Sequence, residues 1–250
     1  MTYDREIIKL EPARFTALNR GYLPPRFVAD QTQFVGPSFV LELSARAGAS
    51  IRYTLDGSAP GPNSPVYEGP LTILGETTVM ACAFWPDGVS SLVESRTVEP
   101  VVPVLASAKA FAKKGLAYEY FAGRFEKLPD FSTLKAARTG TAARPDLAAA
   151  GDKEGFALKF KGYIHAPETG VYVFYVSSDD GSKLSVAGRE IVVNDGVHGM
   201  SEEKSEIALE GGWHPFELVY FQGKGGLGLD VSWRGPGFEK TPIPAGVFGR

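Results

Sequence analysis

Two carboxylates stand side by side at Asp179 and Asp180, directly ahead of Gly181. Adjacent Asp side chains on one turn offer hard oxygen ligands of the kind calcium takes. The same spelling has a plainer use, because an Asp before Gly accepts backbone N–H bonds within its own turn. Both readings stand at this level. Asn194, Asp195 and His198 gather donors and acceptors in a second polar loop, which also spells an Asn-Asp-Gly hairpin turn. A third loop, Gln222-Gly223-Lys224-Gly225-Gly226, is polar and glycine-rich.

Other chemistries lack their residues. His165, His198 and His214 do not pair at i, i+4, and no Cys/His cluster has zinc spacing. Neither a nucleophile elbow nor a Walker-type phosphate loop is present. A glycosidase acid pair works across a cleft, which neighbours on one exposed turn do not provide. Cys82 is the single cysteine, so it forms no internal disulfide, and its apolar run Val79–Phe84 makes it a small core residue. Trp233 sits in the alternating set of a strand and reads as core. Core packing is also expected for Trp213, whereas Trp85, before Pro86, reads as exposed. Asp56, before Gly57, reads as a turn former.

These loops must be held by strands. Phe39, Leu41 and Leu43 alternate with Val40, Glu42 and Ser44, the period-2 signature. Ile51/Tyr53/Leu55 stops at Asp56-Gly57, and the run from Thr77 to Ala81 is closed by Asp87-Gly88. From Gly115 onward the strands are longer and more aromatic: Phe156/Leu158/Phe160, Leu184/Val186, Ile207/Leu209, Phe216/Leu218/Tyr220 and Leu227–Trp233. Val171–Val176 is apolar on both faces, as in a fully buried strand. About eight strands in this half fit a barrel or sandwich. Ala106–Lys114 reads as a spacer with one or two helical turns, capped by Ser107 and ended by Gly115.

Net charge is −3 with acids and bases mixed along the chain. That argues against nucleic acid, which needs a basic face, and gives no attraction to anionic membranes. No apolar stretch reaches the roughly 18 residues of a membrane span. The N-terminus MTYDREIIKL lacks the apolar core of a signal peptide. Residues 1–31 carry a weak helical pattern broken by Pro12 and Pro24-Pro25, and read as a linker or the tail of an upstream domain.

Two resemblances rest on particular residues. Ile51-Arg52-Tyr53-Thr54-Leu55-Asp56-Gly57-Ser58-Ala59-Pro60, followed by Ser64-Pro65-Val66-Tyr67, resembles the fibronectin-type-III-associated module, also known as the chitobiase/β-hexosaminidase C-terminal domain. Gly162-Tyr163-Ile164, Gly170-Val171-Tyr172-Val173-Phe174, Ser177-Ser178-Asp179-Asp180-Gly181-Ser182, Asn194-Asp195-Gly196 and Gly212-Trp213-His214-Pro215 together resemble the protective-antigen-type PA14 domain. The second resemblance implies an appendage of secreted glycosidases, lectin-like adhesins or toxins. In yeast adhesins of this family a paired-Asp turn with a cis peptide is implied to hold calcium, which binds sugar hydroxyls. Asp179 and Asp180 match that pair. The same adhesins use an Asn on a later loop, and the matching place here is Gln222.

The expectation is an all-β chain: a small Ig/fibronectin-like β-sandwich followed by a PA14-like antiparallel β-barrel/sandwich. Its divisions are 1–31 tail, 32–102 first module, 103–114 spacer and 115–248 second module. The function expected is non-catalytic glycan binding as part of a secreted glycoside hydrolase-like protein, extracellular or periplasmic/cell-surface, beside an upstream catalytic domain. The expected glycan rim is Asp179, Asp180, Asn194, Asp195, His198 and Gln222, with calcium at Asp179 and Asp180. The competing expectation is a spacer or docking role without sugar.

Overall fold

The computed structural model describes residues 22–108, 111, 113–151 and 154–250. The chain divides into two compact units at Pro100/Val101. Among the described residues no helix is long and apolar enough to cross a membrane.

The first unit has strands β1 (Arg26–Phe27), β2 (Gln33–Phe34), β3 (Phe39–Leu41), β4 (Leu43–Ser44), β5 (Ser50–Thr54), β6 (Leu71–Ile73), β7 (Thr77–Phe84) and β8 (Glu94–Pro100). The order β2-β8-β7-β5 makes a four-stranded sheet, with the pairs β1-β4 and β3-β6 beside it. Strand β7 lies between β8 and β5, and its Val79, Ala81 and Ala83 are fully buried. Phe34, Leu41, Ile51, Ile73 and Val98 pack the core around it. Cys82 is buried, as its apolar run predicts. The Asp56 carboxylate accepts from the Ser58 amide and hydroxyl, which holds it below the usual carboxylate range. Asp56 is therefore a turn former. The tail expected over 1–31 lies partly outside the described residues. Its described end is not a tail, since Arg26–Phe27 pair with Leu43–Ser44.

The second unit has β9 (Leu116–Ala122), β10 (Arg138–Ala142), β11 (Phe156–Ala166), β12 (Gly170–Asp179), β13 (Ser182–Val186), β14 (Arg189–Asn194), β15 (Ser201–Leu209), β16 (Gly212–Gln222), β17 (Gly228–Gly235), β18 (Phe238–Pro242) and β19 (Phe248–Gly249). One sheet runs β10-β9-β11-β16-β13-β14, with β19 also on β11, and the other runs β15-β12-β17-β18. Neither order closes on itself, so the sandwich reading describes the unit. Alternation sends Tyr172, Phe174 and Val176 of β12 inward. There they join Phe156, Leu158, Phe160, Phe216, Leu218, Tyr220 and Trp233 in one core.

The outward residues Val173 and Tyr175 are buried as well. Lys240 lies over the Tyr175 ring, with its Nζ 4.2 Å from the centroid, and Lys204 approaches it at 5.9 Å. The two-faced apolar run is thus covered on its open face by lysine stems rather than by another layer. Trp213 is a correction: it lies half-buried against Phe111 and His165, outside the main core.

The expected spacer 103–114 is also corrected. The Val104 N–H donates to Ala208 and the Glu210 N–H donates back to Val104, both at 2.9 Å, while the Ser107 N–H donates to Trp213 at 2.7 Å. These bonds lace the segment to the second unit as backbone groups seek partners. The helical turns expected there fall partly outside the described residues; Ser107 and Lys114 lie in β-bridges.

Candidate functional site

Strand β12 ends at Asp179 in one sheet, and β13 begins at Ser182 in the other. Asp180 and Gly181 make the corner between them. The Asp179–Asp180 peptide is cis, the form the resemblance implies for this turn. Position 181 requires glycine, because a Cβ there would meet a Phe221 ring carbon at 2.4 Å and the Gly196 amide nitrogen at 3.0 Å.

Asp180 is 1% exposed. Its Oδ1 accepts the His198 main-chain N–H at 3.1 Å, and its Oδ2 accepts the Gly223 N–H at 2.7 Å. One carboxylate therefore pins the 194–199 loop and the 222–226 loop to the same corner. The three polar loops picked out from the sequence converge there. Asp179 projects from the outward face of β12. Among the described residues its carboxylate has no hydrogen-bond or ion-pair partner, and neither Asp is paired with Lys or Arg. The 222–226 loop closes tightly on Asp179, since a Cβ at Gly226 would lie 2.1 Å from Oδ2.

The Tyr220 hydroxyl sits beneath the corner, where it can donate to the Asp179 carbonyl or to Gln222 Oε1. Burial pushes the Tyr220 phenol well above its ordinary value, and the charges of Asp180 and Asp179 add to the shift.

Two expected rim residues are corrected. Gln222 is fully buried: its Oε1 accepts from Tyr220, and its Nε2 donates to the Gly226 carbonyl at 2.5 Å. With both ends of the amide committed, it positions the loop and presents nothing to a ligand. Asn194 is 9% exposed, and its Nδ2 donates to Ser178 Oγ at 3.2 Å and Ser201 Oγ at 3.1 Å. It braces the loop from inside. Asp195 is exposed, and its Oδ1 accepts from the Leu128 and Gly196 amides at 2.7 and 2.8 Å. The His198 ring is half-buried, with Nδ1 2.8 Å from the Gly199 carbonyl and Nε2 3.3 Å from that of Asn194. Of the six residues, Asp179, Asp195 and His198 reach solvent.

Sequence reasoning missed Tyr220 as part of the corner, and Val197, Met200 and Leu227 as exposed apolar residues on or beside the converging loops. Met200 lies against Gly228, the residue that faces Asp179 across the ladder. The Gly225-Gly226 pair was the available signal for the loop. Nothing in the spacing distinguished Tyr220 from an ordinary core residue.

The donor set suits a hard cation. It offers two carboxylates, one buried and hydrogen-bonded, the other unpartnered in a glycine cradle, and a buried charge calls for hydrogen bonds or a cation. No group of three His, Cys, Asp or Glu side chains that could hold a metal occurs among the described residues. Further ligands for calcium would therefore be carbonyls, water or a ligand's own oxygens.

Residues 34–95 match the model of the chitobiase/beta-hexosaminidase C-terminal domain, and residues 112–246 that of the PA14 domain. No curated protein matches the chain. Among solved structures, the PA14 sugar-binding domain from an RTX adhesin is 23% identical, with 56% of this chain and 99% of that chain covered and a TM-score of 0.46. The PA14 domain of the MpAFP antifreeze protein is 17% identical, with 57% and 93% covered and a TM-score of 0.46. The epithelial adhesin 9 A domain from Candida glabrata, solved with Galb1-3GlcNAc, is 12% identical, with 56% and 92% covered and a TM-score of 0.45. The PA14 match takes in more than half of the sequence and the whole converging corner, so the chain belongs to the PA14 domain family, with a chitobiase/β-hexosaminidase C-terminal domain ahead of that module.

Proposed function

We propose that this chain is a non-catalytic, glycan-binding part of an exported glycoside hydrolase-like protein, and that its PA14 module takes sugar at the Asp179–Asp180 corner with the help of calcium. The observation that carries this reading is the division of labour between the two carboxylates. Asp180 is spent on holding two loops, while Asp179 is presented with no protein partner. Asp179 and Asp180 would hold the ion, with main-chain carbonyls completing its shell. Calcium bound there supplies coordination positions for sugar hydroxyls. Val197, Met200 and Leu227 offer apolar surface to the C–H faces of a sugar ring. Membership in the two families supports an accessory role beside an upstream catalytic domain and an extracellular or periplasmic setting, with the smaller module as spacer.

Calcium titration by calorimetry on the intact chain and on Asp180→Asn tests the metal. Saturable binding to the parent that vanishes in the variant is the expected result. Glycan-array retention in calcium, lost in chelator, tests the sugar; retention undiminished by chelator overturns the metal part. A docking role without sugar draws on the same exposed Val197, Met200 and Leu227. An array silent in calcium would favour it.

A further inference from the structure

A cleft of about 380 Å³ opens on the four-stranded sheet of the second unit. It lies where β18 stops covering β17. The last pair between them is Ser232 with Pro242, after which the Ile243 N–H donates to the Val231 carbonyl at 3.2 Å and the chain departs. In an antiparallel strand, residues two apart turn their main-chain groups to the same side. Leu229 therefore aims its N–H and C=O the same way as Val231, along an edge that no strand covers among the described residues. Leu229, Val231, Pro242 and Ile243 form an apolar floor around these open polar groups.

The walls are polar and divided in their duties. Lys240 Nζ holds both oxygens of Glu202 at 2.7 Å, and Ser177 Oγ donates to Glu202 at 2.9 Å. That wall is internally satisfied and fixed. Asp230 and Arg144 also line the cleft, and among the described residues neither has a hydrogen-bond or ion-pair partner. An acceptor-only carboxylate and a donor-only guanidinium, held apart over an apolar floor, suit a ligand that donates and accepts from adjacent atoms. Vicinal hydroxyls on a sugar ring do both.

The cleft adjoins the Asp corner through the strand register. Asp179 faces Gly228, and two residues back Ser177 faces Asp230, on the same outward face. Two strand residues span roughly 7 Å. We infer that the cleft is a second subsite, which receives the continuing rings of a neutral oligosaccharide whose terminal residue occupies the Asp179–Asp180 corner. This rests on the glycan reading proposed above and adds chain length as the feature recognised.

The test is an array of neutral mono- to hexasaccharides probed in calcium with the parent chain and with the double variant Arg144→Gln/Asp230→Asn. Both changes fall at exposed positions outside the Asp corner. The parent should hold longer glycans better than the matching monosaccharide. The double variant should lose about tenfold on the longer ones, the effect of one charge-assisted hydrogen bond, and keep the monosaccharide. Equal length dependence in the two proteins, or none in the parent, overturns the second subsite and leaves the glycan reading standing. A parent that retains no glycan at all removes both. Matching thermal melts for the two proteins exclude misfolding as the cause of a loss.

Discussion

Asp179 and Asp180 are chemically identical, and their surroundings give them separate tasks. Replacing Asp180 by Asn puts an amide NH₂ where an oxygen accepts a main-chain N–H, so His198 or Gly223 loses its acceptor. We expect a cost of about 1–3 kcal/mol, read as a lower melting temperature in chelator, together with loss of the calcium isotherm. Gly226→Ala should separate the two effects. Its Cβ would collide with the end of the Asp179 side chain, which can swing away cheaply, so stability should barely move. Calcium affinity should fall at least about tenfold as the carboxylate is displaced. Unchanged affinity would mean that Asp179 is not a ligand. The Asp pair and its loops were legible in the sequence because Asp-Asp-Gly and Asn-Asp-Gly mark turns that carry carboxylates. The inward turn of Gln222 and Asn194 was not, because local sequence says nothing about which polar atoms a neighbouring strand will satisfy.

Strand β16 joins the core of the second unit to the Asp179–Asp180 corner. Alternation along Phe216, Leu218 and Tyr220 predicts one inward face, and all three are core residues. The same pattern hides the Tyr220 hydroxyl, whose partners arrive from β12 and from two residues further along β16. Because the folded state keeps this phenol neutral, its pKa lies above the unfolded value near 10. The unfolded chain then releases its proton first, so stability is intact below about pH 10 and falls as pH rises beyond it. Urea midpoints measured from pH 8 to 11 should decline for the parent and decline less for Tyr220→Phe. Parallel declines would argue against this origin. Strand β10 is the opposite case: Arg138-Thr139-Gly140-Thr141-Ala142 has no apolar alternation and was not anticipated. It is an edge strand paired only to β9, so its side chains need not match a buried face.

At the scale of the molecule, the second unit begins earlier than the strand pattern suggests. The Ala- and Lys-rich wording of 103–114 resembles a linker, because its anchors lie far along the chain: main-chain bonds to Ala208, Glu210 and Trp213, the Glu210 carboxylate on the Ala106 N–H, and the Phe111 ring on Tyr163 and Trp213. A chain spanning 101–250 should fold alone, give a calcium isotherm matching that of the full protein, and retain the same glycans. One starting at residue 115 forfeits the bonds of Val104 and Ser107 and should melt several degrees lower by calorimetry. Equal melting of the two would show the segment to be energetically idle. The division into two all-β units was readable from the turn spellings. Which positions each unit claims depended on pairing across the chain.

Strand β12 places Tyr172, Phe174, Val176 and Ser178 on one side and Val173, Tyr175, Ser177 and Asp179 on the other. Inheritance can therefore act on the two sets separately. Substitution at Ser177 and Asp179, and at their neighbours Glu202 and Asp230, leaves the even-numbered set that folds the module undisturbed, whereas Val173 and Tyr175 are buried beneath lysine side chains and are held by packing. A single residue inserted within β12 would turn every residue on one side of it to the opposite face unless a bulge absorbed it. Substitution at the outer end of this strand is thus tolerated more readily than a change in its length.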